Sequence, residues 1–572
     1  MTQRLSCNVA TDFQELDQLS AQWHELVLAG GCEIFQHFTW SRTWWESFGK
    51  DARLIAPIAR RAKHVVGILP LVLEKRCLRM LGYSTCDYSH FLVEPGEAIE
   101  TFRVCLESLL EYSAHWDEIS LDNVPDSSTL AQCVRSLPDP WRSRLSTIEA
   151  GRCPTLVLGN QKYAILKSIL AKDKLKKTVR YLERRGSLSF RHLDEPREVA
   201  IHLGEFFRQH IRRSAVAGRR SGFLDEEYVG FYRQICERFG AGSAIRFSVL
   251  EIGDRPVAYH FGTFFNAKYL FYKPTFDVDL WELSPGQALL WYLLEYLQSQ
   301  NVQELDFGRG EEPYKFRFSN EVRRNVSFSI SAPGLRHAVR RLGRSVLGRT
   351  KSRVRSSPRL LHGAEALRAQ FQNARDSIRR GGFLDTAGAV FRSTVFEREQ
   401  WMLGSFTPAL QEPAHQPSVT QQEMLLSELA DIAITFPHVP LSARLEQARK
   451  LLREGQTARV VRIDGSERAV LWTLVDSKLC VRASTVTLPK KALIVTDVWM
   501  LGAKWSAAEE TAVLAHLARI ASGTSVSAWA LCSSRMFSRR RTLRLAGLCP
   551  THRFISSRML SGATHWKQQG PE

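Results

Sequence analysis

One stretch, Tyr259 to Phe318, constrains the fold more than any other. Two strand-like runs, PVAYHFGTFF and KYLFYKPTF, meet at a turn at Asn266-Ala267. Ser284-Pro285-Gly286 then opens a very apolar helix over 285–300, and a strand follows at 302–307. A strand, a crossover helix and a second strand place the two strands as parallel neighbours in one sheet. The second strand runs into Asp306-Phe307-Gly308-Arg309-Gly310-Glu311-Glu312-Pro313-Tyr314-Lys315. Charged groups this dense after a buried strand suit a site better than a core. Ligands gather at the carboxyl ends of strands in open α/β sheets.

The pattern recurs upstream. Glu94-Pro95-Gly96-Glu97-Ala98 parallels Ser284-Pro285-Gly286-Gln287-Ala288, and each is read as a helix start. Each helix leads to a short strand, Trp116–Leu121 or Val302–Phe307, with Glu118 and Glu304 in the same place. This implies an internal repeat with a period of about 190 residues. Residues 418–572 repeat the order helix, helix, strands, helix, strand, helix, strand. They lack the Pro-Gly helix start and any counterpart of 306–315. The expected class is α/β, and four segments are expected: 1–158, 159–332, a basic and partly helical linker at 333–417, and a degenerate, non-catalytic unit at 418–572.

Charge points to anionic partners. The chain has 78 Lys and Arg against 59 Asp and Glu, a net +19. Such a balance suits nucleic acid, a membrane surface or a phosphorylated cofactor. The excess is uneven: between Arg336 and Arg380 stand 12 Arg and one Lys against Glu365 and Asp376, a local +11. Residues 336–380 read first as a partly helical linker, with a peripheral contact to a membrane or another polyanion as the sharper alternative. A second basic segment runs from Lys172 to Arg185. It reads as a solvated helix face, or as a wall for an anionic substrate. The 11 cysteines show no CxxC pair and no zinc-like spacing, so no metal is expected. No apolar run approaches the ~18–20 residues that span a bilayer. The first residues carry acids instead of a secretory apolar core, so a cytoplasmic setting is expected.

The central stretch suggests chemistry. Ser284 is expected to cap the helix through its hydroxyl, with Pro285 where a missing N–H does no harm. The amides of Gly286, Gln287 and Ala288 would then face an anion such as a coenzyme A pyrophosphate. The plain alternative is a well-capped buried helix. KYLFYK is expected to splay from its neighbour, exposing backbone that can pair with a pantetheine arm. Tyr272 would donate to a leaving thiolate, or is a half-buried strand tyrosine. Asp306 or Glu311, with Glu312 beside it, would be the general base, and Lys315 would steady charge on the carbonyl oxygen. Against this, Asp306–Arg309 and Glu311–Lys315 could be structural ion pairs.

Several motifs carry a family resemblance: Phe35-Gln36, Trp40, Trp44-Trp45, Gly67-Ile68-Leu69-Pro70-Leu71, Leu81-Gly82 and Asp87-Tyr88, then Tyr272, Ser284-Pro285-Gly286 and the run 306–318. Together they resemble the CelD-type, FemAB-like branch of the GNAT acyltransferase superfamily, over about residues 1–332. The resemblance implies two tandem GNAT-like mixed-sheet domains with a cleft between them, and 418–572 then reads as a third GNAT-like unit. It also implies transfer of an acyl group, usually acetyl from acetyl-CoA, often in bacterial polysaccharide or envelope biosynthesis. Gln36, Asp87 and Tyr88 would supply the wall opposite Asp306, and Arg309 and Tyr314 would help hold the acceptor. One departure stands in the pyrophosphate loop, usually Gln/Arg-x-x-Gly-x-Gly/Ala. Leu283 takes the first position, while Gly286 and Ala288 match the last two. The expected function is acyl transfer from acyl-CoA to an amine or hydroxyl of a sugar, polysaccharide or envelope precursor. The alternatives are a Fem-like transferase using aminoacyl-tRNA, and a non-enzymatic scaffold.

Overall fold

The structure, a computed structural model, describes residues 4–240, 244–332, 397–406, 418–435, 441–481, 484–501, 527–533, 548–558 and 564–569, with isolated positions between 509 and 516. The chain forms two compact units, one of residues 1–213 and 220–353 and one of the remainder. The basic stretch 336–380, most of the linker at 333–417 and the helix expected near 538–547 lie outside the described residues.

In the first unit the strands are β1 (Leu5–Ala10), β2 (Arg53–Arg61), β3 (His64–Ile68), β4 (Leu71–Glu74), β5 (Cys77–Met80), β6 (Leu92–Val93) and β7 (Glu118–Pro125), then β8 (Leu145–Val157), β9 (Leu188–His192), β10 (Ile245–Ile252), β11 (Arg255–Phe265), β12 (Lys268–Phe276), β13 (Glu304–Asp306) and β14 (Glu321–Ser331). They form one sheet in the order β6-β3-β2-β4-β5-β7-β14-β8-β13-β12-β11-β10-β9, with β1 beside β2. Only β5/β7 and β12/β13 are parallel among the described pairs. Each parallel pair is bridged by a crossover helix, α4 (Ala98–Ser108) or α10 (Pro285–Leu297). The two halves therefore repeat a strand–helix–strand element, as the sequence repeat implies. The sheet passes between them without a break, because β14 pairs β7 on one edge and β8 on the other.

Helices cover both faces of the second half, which is why β11 is buried from Val257 to Thr263 with no alternation. On one face α10 buries Leu289, Leu290, Leu293, Leu294 and Leu297 beside α6 (Lys162–Leu170) and α7 (Asp173–Glu183). On the other, α8 (Pro196–Val216) and α9 (Glu226–Phe239) share a core with α2 (Ser20–Ala29) and α3 (Phe38–Phe48) of the first half. The Trp40 ring meets those of Phe231 and Tyr232 at 5.4 and 6.4 Å. The halves thus hold each other by buried aromatic surface, the costliest kind to separate.

The second unit has its own sheet of β15 (Glu397–Phe406), β16 (Val419–Met424), β17 (Thr457–Ile463), β18 (Ser466–Val481), β19 (Ser484–Met500), β20 (Ser527–Ser533), β21 (Leu548–Arg558) and β22 (Thr564–Gln569). Its order is β16-β17-β18-β19-β20-β15-β21-β22, with β19/β20 parallel. From β16 to β21 this repeats β9-β10-β11-β12-β13-β8-β14. Two helices, Leu426–Thr435 and Leu441–Arg453, stand between β16 and β17 as α8 and α9 stand between β9 and β10. The fold is α/β, with tandem GNAT-like mixed-sheet halves and a third unit of the same topology.

Three local expectations need correction. Pro95-Gly96 forms a turn, with Gly96 at φ 89°, and the helix starts at Ala98 after Glu97. Pro285, by contrast, is itself the first residue of α10. The KFRF run, whose sequence reads as a closing strand, is helical: Pro313 opens α11 (Pro313–Phe318) with its ring fixed at a helical φ. Gln421–Met424, whose sequence reads as the start of the helix QQEMLLSELADIAITF, ends β16, because its backbone pairs with β17.

Candidate active site

β12 is irregular where the site lies. Phe261 pairs with Lys273 and Thr263 with Leu270, so β12 carries one residue more than β11 across this interval. Such a bulge re-aims side chains. Tyr272 faces the first half, its ring 5.3 Å from Phe35, while Phe271 faces Phe307 at 5.9 Å. β12 and β13 also part. They pair only over Lys268–Leu270 and Glu304–Asp306, and then Phe307 turns its N–H to Pro154 of β8. Among the described residues no strand covers Phe271–Phe276 on that side. This is the splay expected of KYLFYK.

Asp306 sits where the strands part and is 2% exposed. Its Oδ1 accepts from the Tyr88 hydroxyl at 2.8 Å and from the Gly308 amide at 2.7 Å. The second bond needs the tight turn that Gly308 makes at φ 66°. Burial pushes the Asp306 carboxyl up to about 7, with Glu33 adding to the rise. The Gly308 amide, Lys268 and Tyr88 pull the other way. An acid raised to near neutrality by burial suits a general base.

The first half supplies the facing wall. Gln36, 6% exposed, donates to the Tyr88 carbonyl at 2.8 Å, and its Oε1 is buried with no partner. Asn123 donates to the Cys86 carbonyl and Asn325 to the Asp87 carbonyl, at 3.0 and 2.8 Å, fixing the segment that carries Asp87 and Tyr88. Asp87 is half-buried, and a Cβ on Gly308 would lie 3.1 Å from its Oδ2. Gln36, Asp87, Tyr88, Tyr272, Asp306 and Arg309 thus meet in one region, although the sequence spreads them over both halves.

Other expected groups are placed differently. Arg309 donates to Asn123 Oδ1, not to Asp306. Lys315 is 7% exposed and pairs with Glu312 at 3.1 Å, not with Glu311, while also donating to the Arg309 carbonyl at 3.0 Å. Its ammonium closes the loop through these two contacts. Glu311 is exposed, whereas Tyr314 is half-buried, its ring 6.5 Å from Phe307. The Tyr272 hydroxyl donates to the Thr85 carbonyl at 2.6 Å and accepts from Tyr232 at 3.1 Å, so its proton is engaged.

The helix start is also different. Ser284 adopts a left-handed conformation, φ 54° and ψ 54°, and its side chain makes no cap. That conformation turns its carbonyl onto the first turn, where it accepts from Gln287 at 2.9 Å and Ala288 at 3.4 Å. Of the three amides expected to face an anion, Gly286 alone keeps its N–H outside these bonds. A Cβ at Gly286 would lie 3.3 Å from the Phe276 ring, so the glycine also serves packing. The free edge of β12 fits an acyl-CoA arm; the helix start fits its phosphates in part.

Sequence reasoning passed over Lys273, Tyr232 and the ion-pair chain Glu33–Lys268–Glu304–Arg323, with contacts of 2.5, 2.8 and 2.6 Å. The available signal was a lysine within an apolar strand. Among the described residues no His, Cys, Asp and Glu cluster could hold a metal, and no helix is long and apolar enough to cross a membrane.

Residues 171–316 match the family model described as an acetyltransferase (GNAT) domain. Similar solved structures include FemX, 10% identical at a TM-score of 0.42, covering 56% of this chain and 98% of that one. Another is a tandem GNAT protein from the clavulanic acid biosynthesis pathway, 16% identical at 0.35, covering 58% and 100%. A third is the C-terminal domain (DUF2156) of a putative lysylphosphatidylglycerol synthetase from Agrobacterium fabrum, 12% identical at 0.36, covering 58% and 96%. No curated protein matches the chain. The family match takes in β12, α10, β13 and the loop after Asp306: the chain carries a GNAT acetyltransferase domain and is an acyltransferase enzyme.

Proposed function

We propose that the protein moves an acetyl group from acetyl-CoA to an amine or hydroxyl of a sugar, polysaccharide or envelope precursor, in the manner of the CelD-type branch. The observation that carries the reading is Asp306, buried where β12 and β13 part and titrating near neutrality. When bound, acyl-CoA supplies the activated thioester. The backbone edge of Phe271–Phe276 would hold its arm by strand addition. Ser284, Gly286, Gln287 and Ala288 would border its phosphates, with the Gly286 amide as donor. Asp306 takes the proton of the attacking amine or hydroxyl, held by Tyr88 so that its carboxylate keeps one orientation. Asp87, Gln36, Arg309 and Tyr314 line the acceptor side. Glu311 is the weaker candidate base, because nothing buries or orients it. Lys315 acts by fixing the loop. Catalysis belongs to the second half-sheet, and the 418–572 unit is a non-catalytic copy in a cytoplasmic protein.

Isothermal titration of the full chain with acetyl-CoA tests this. Saturable 1:1 binding, together with acetyl transfer to glycan or envelope precursors from a deletion strain, is the expected result. Absence of binding would sink it.

A second reading is favoured by one observation. On α6, α7 and the two residues after, Lys167, Lys174, Lys176, Lys177, Arg180, Arg184 and Arg185 are all exposed, and no ion pair among the described residues engages them. A Fem-like transferase using aminoacyl-tRNA would use such a face. It predicts tRNA binding that weakens steeply with salt; binding that ignores salt, or none, removes it.

A further inference from the structure

One ammonium beside the site has no ion-pair partner among the described residues. Lys273 lies on the uncovered stretch of β12, directly after the bulge. Its Nζ is 4.2 Å from the centroid of the Tyr272 ring and 5.5 Å from that of Tyr232. Among the described residues no hydrogen bond or ion pair engages it. The charged groups that act on it are Asp87, which favours the ammonium, and Arg309, which opposes it. Burial outweighs both and pulls its pKa below the usual lysine value. The Tyr232 hydroxyl donates to Tyr272 and that of Tyr272 to the Thr85 carbonyl, and neither is bonded to the Lys273 ammonium. Lys273 is half-buried, and a partly desolvated cation held by ring faces alone is costly unless function supplies an anion.

We propose that Lys273 is a further catalytic residue, whose ammonium meets the negative charge that gathers on the thioester carbonyl oxygen during attack. The proposal rests on the acyl-transfer reading above. The acceptor's lone pair forms the new C–N or C–O bond, and the carbonyl π pair it displaces onto oxygen faces Lys273. Asp306 receives the acceptor's proton. The oxygen pair then re-forms the C=O bond as the C–S bond breaks, and coenzyme A leaves as thiolate. Lys273 suits the oxygen because it stands on the strand edge that would align the thioester. A preorganised cation in a water-poor site strengthens most as charge develops.

Lys273→Met and Lys273→Arg test this in the full chain. The expected result for Lys273→Met is a kcat loss of about 10²–10³-fold, the scale of removing one oxyanion donor, with acetyl-CoA affinity by calorimetry changed less than about twofold. Lys273→Arg should recover part of the rate. A second readout needs no turnover. In protein reductively methylated with ¹³C, the resonance missing from Lys273→Met should titrate below those of the surface lysines. An undiminished kcat in Lys273→Met overturns the proposal, as does a Lys273 titration coincident with the surface lysines. Equal loss of acetyl-CoA binding and thermal stability would make Lys273 a structural brace and overturn it too. Failure of the wild-type protein to bind acetyl-CoA removes the acyl-transfer reading, and this proposal with it, and only the wild-type isotherm reports that.

Discussion

Tyr88 and Asp306 stand 218 residues apart in sequence, yet the Tyr88 hydroxyl donates to Asp306 Oδ1 at 2.8 Å. The hydrogen bond ties the first half of the sheet to the acid of the second. It also opposes the burial that raises the Asp306 pKa, since a donor to a carboxylate favours the charged form. The two halves therefore share the setting of one proton affinity.

Asp306→Asn should abolish most acyl transfer, by about 10²–10⁴-fold, the usual range for a lost general base. The same change should stabilise the fold at neutral pH. The folded protein holds the Asp306 proton more tightly than an unfolded chain does, so this group's contribution is greatest below the unfolded value and is lost as pH rises through about 7. At ~1.4 kcal/mol per pKa unit the effect is on the order of a few kcal/mol. Thermal melts from pH 4 to 8 should fall more steeply for the wild type than for Asp306→Asn; parallel curves would contradict the assignment.

Tyr88→Phe keeps the ring beside Phe35, at 6.3 Å in the wild type, and removes the donor. The Asp306 carboxyl should then move above 7, and the acidic limb of the rate profile should shift to higher pH. The stability cost is about 0.5–1.5 kcal/mol for a lost buried bond. A rate profile fixed at the wild-type midpoint would show that Asp306 does not set it.

Much of this site was legible. Asp306 was marked by its place at a strand end, and Asp87, Tyr88 and Gln36 by their motif. What sequence could not give was pairing. Arg309 meets Asn123 instead of Asp306, and Lys315 meets Glu312 instead of Glu311, because α11 winds at Pro313 and brings i and i+3 together. Ser284 looked like a cap, but its left-handed backbone spends the carbonyl where the hydroxyl was expected. Lys273 stayed hidden because its meaning depends on a one-residue bulge, and register is set across strands. The third unit's strand order was legible only as a repeated succession of elements, without the pairing that makes it the same fold.

Lys315→Met should separate a structural role from an electrostatic one. The ammonium holds the Glu312 carboxylate and the Arg309 carbonyl. Losing it should cost about 1–3 kcal/mol and lower kcat, while the acidic limb stays near pH 7, since Lys315 is not among the groups that set Asp306. Gly310→Ala should mimic it: at φ 141° an added Cβ would lie 2.3 Å from Glu312 Oε2 and 2.9 Å from Lys315 Nζ. A shifted pH profile in either variant would argue for direct action on the chemistry.

Glu33→Gln supplies the opposite sign to Tyr88→Phe. Glu33 is paired with Lys268 at 2.5 Å, and its charge raises the Asp306 pKa, second only to burial. Lys268 keeps Glu304 at 2.8 Å, so the neutral variant leaves no cation alone. Freed of the Glu33 charge and with Lys268 still present, Asp306 should ionise at lower pH, and the acidic limb should move below 7. Stability at pH 7 should change by only about 1 kcal/mol, because Lys268 keeps Glu304 when the largely buried pair is lost, while an acid already raised by its own burial is removed. Rate profiles of Glu33→Gln and Tyr88→Phe measured side by side should flank the wild type. Two shifts in the same direction would mean that the titrating group is not Asp306.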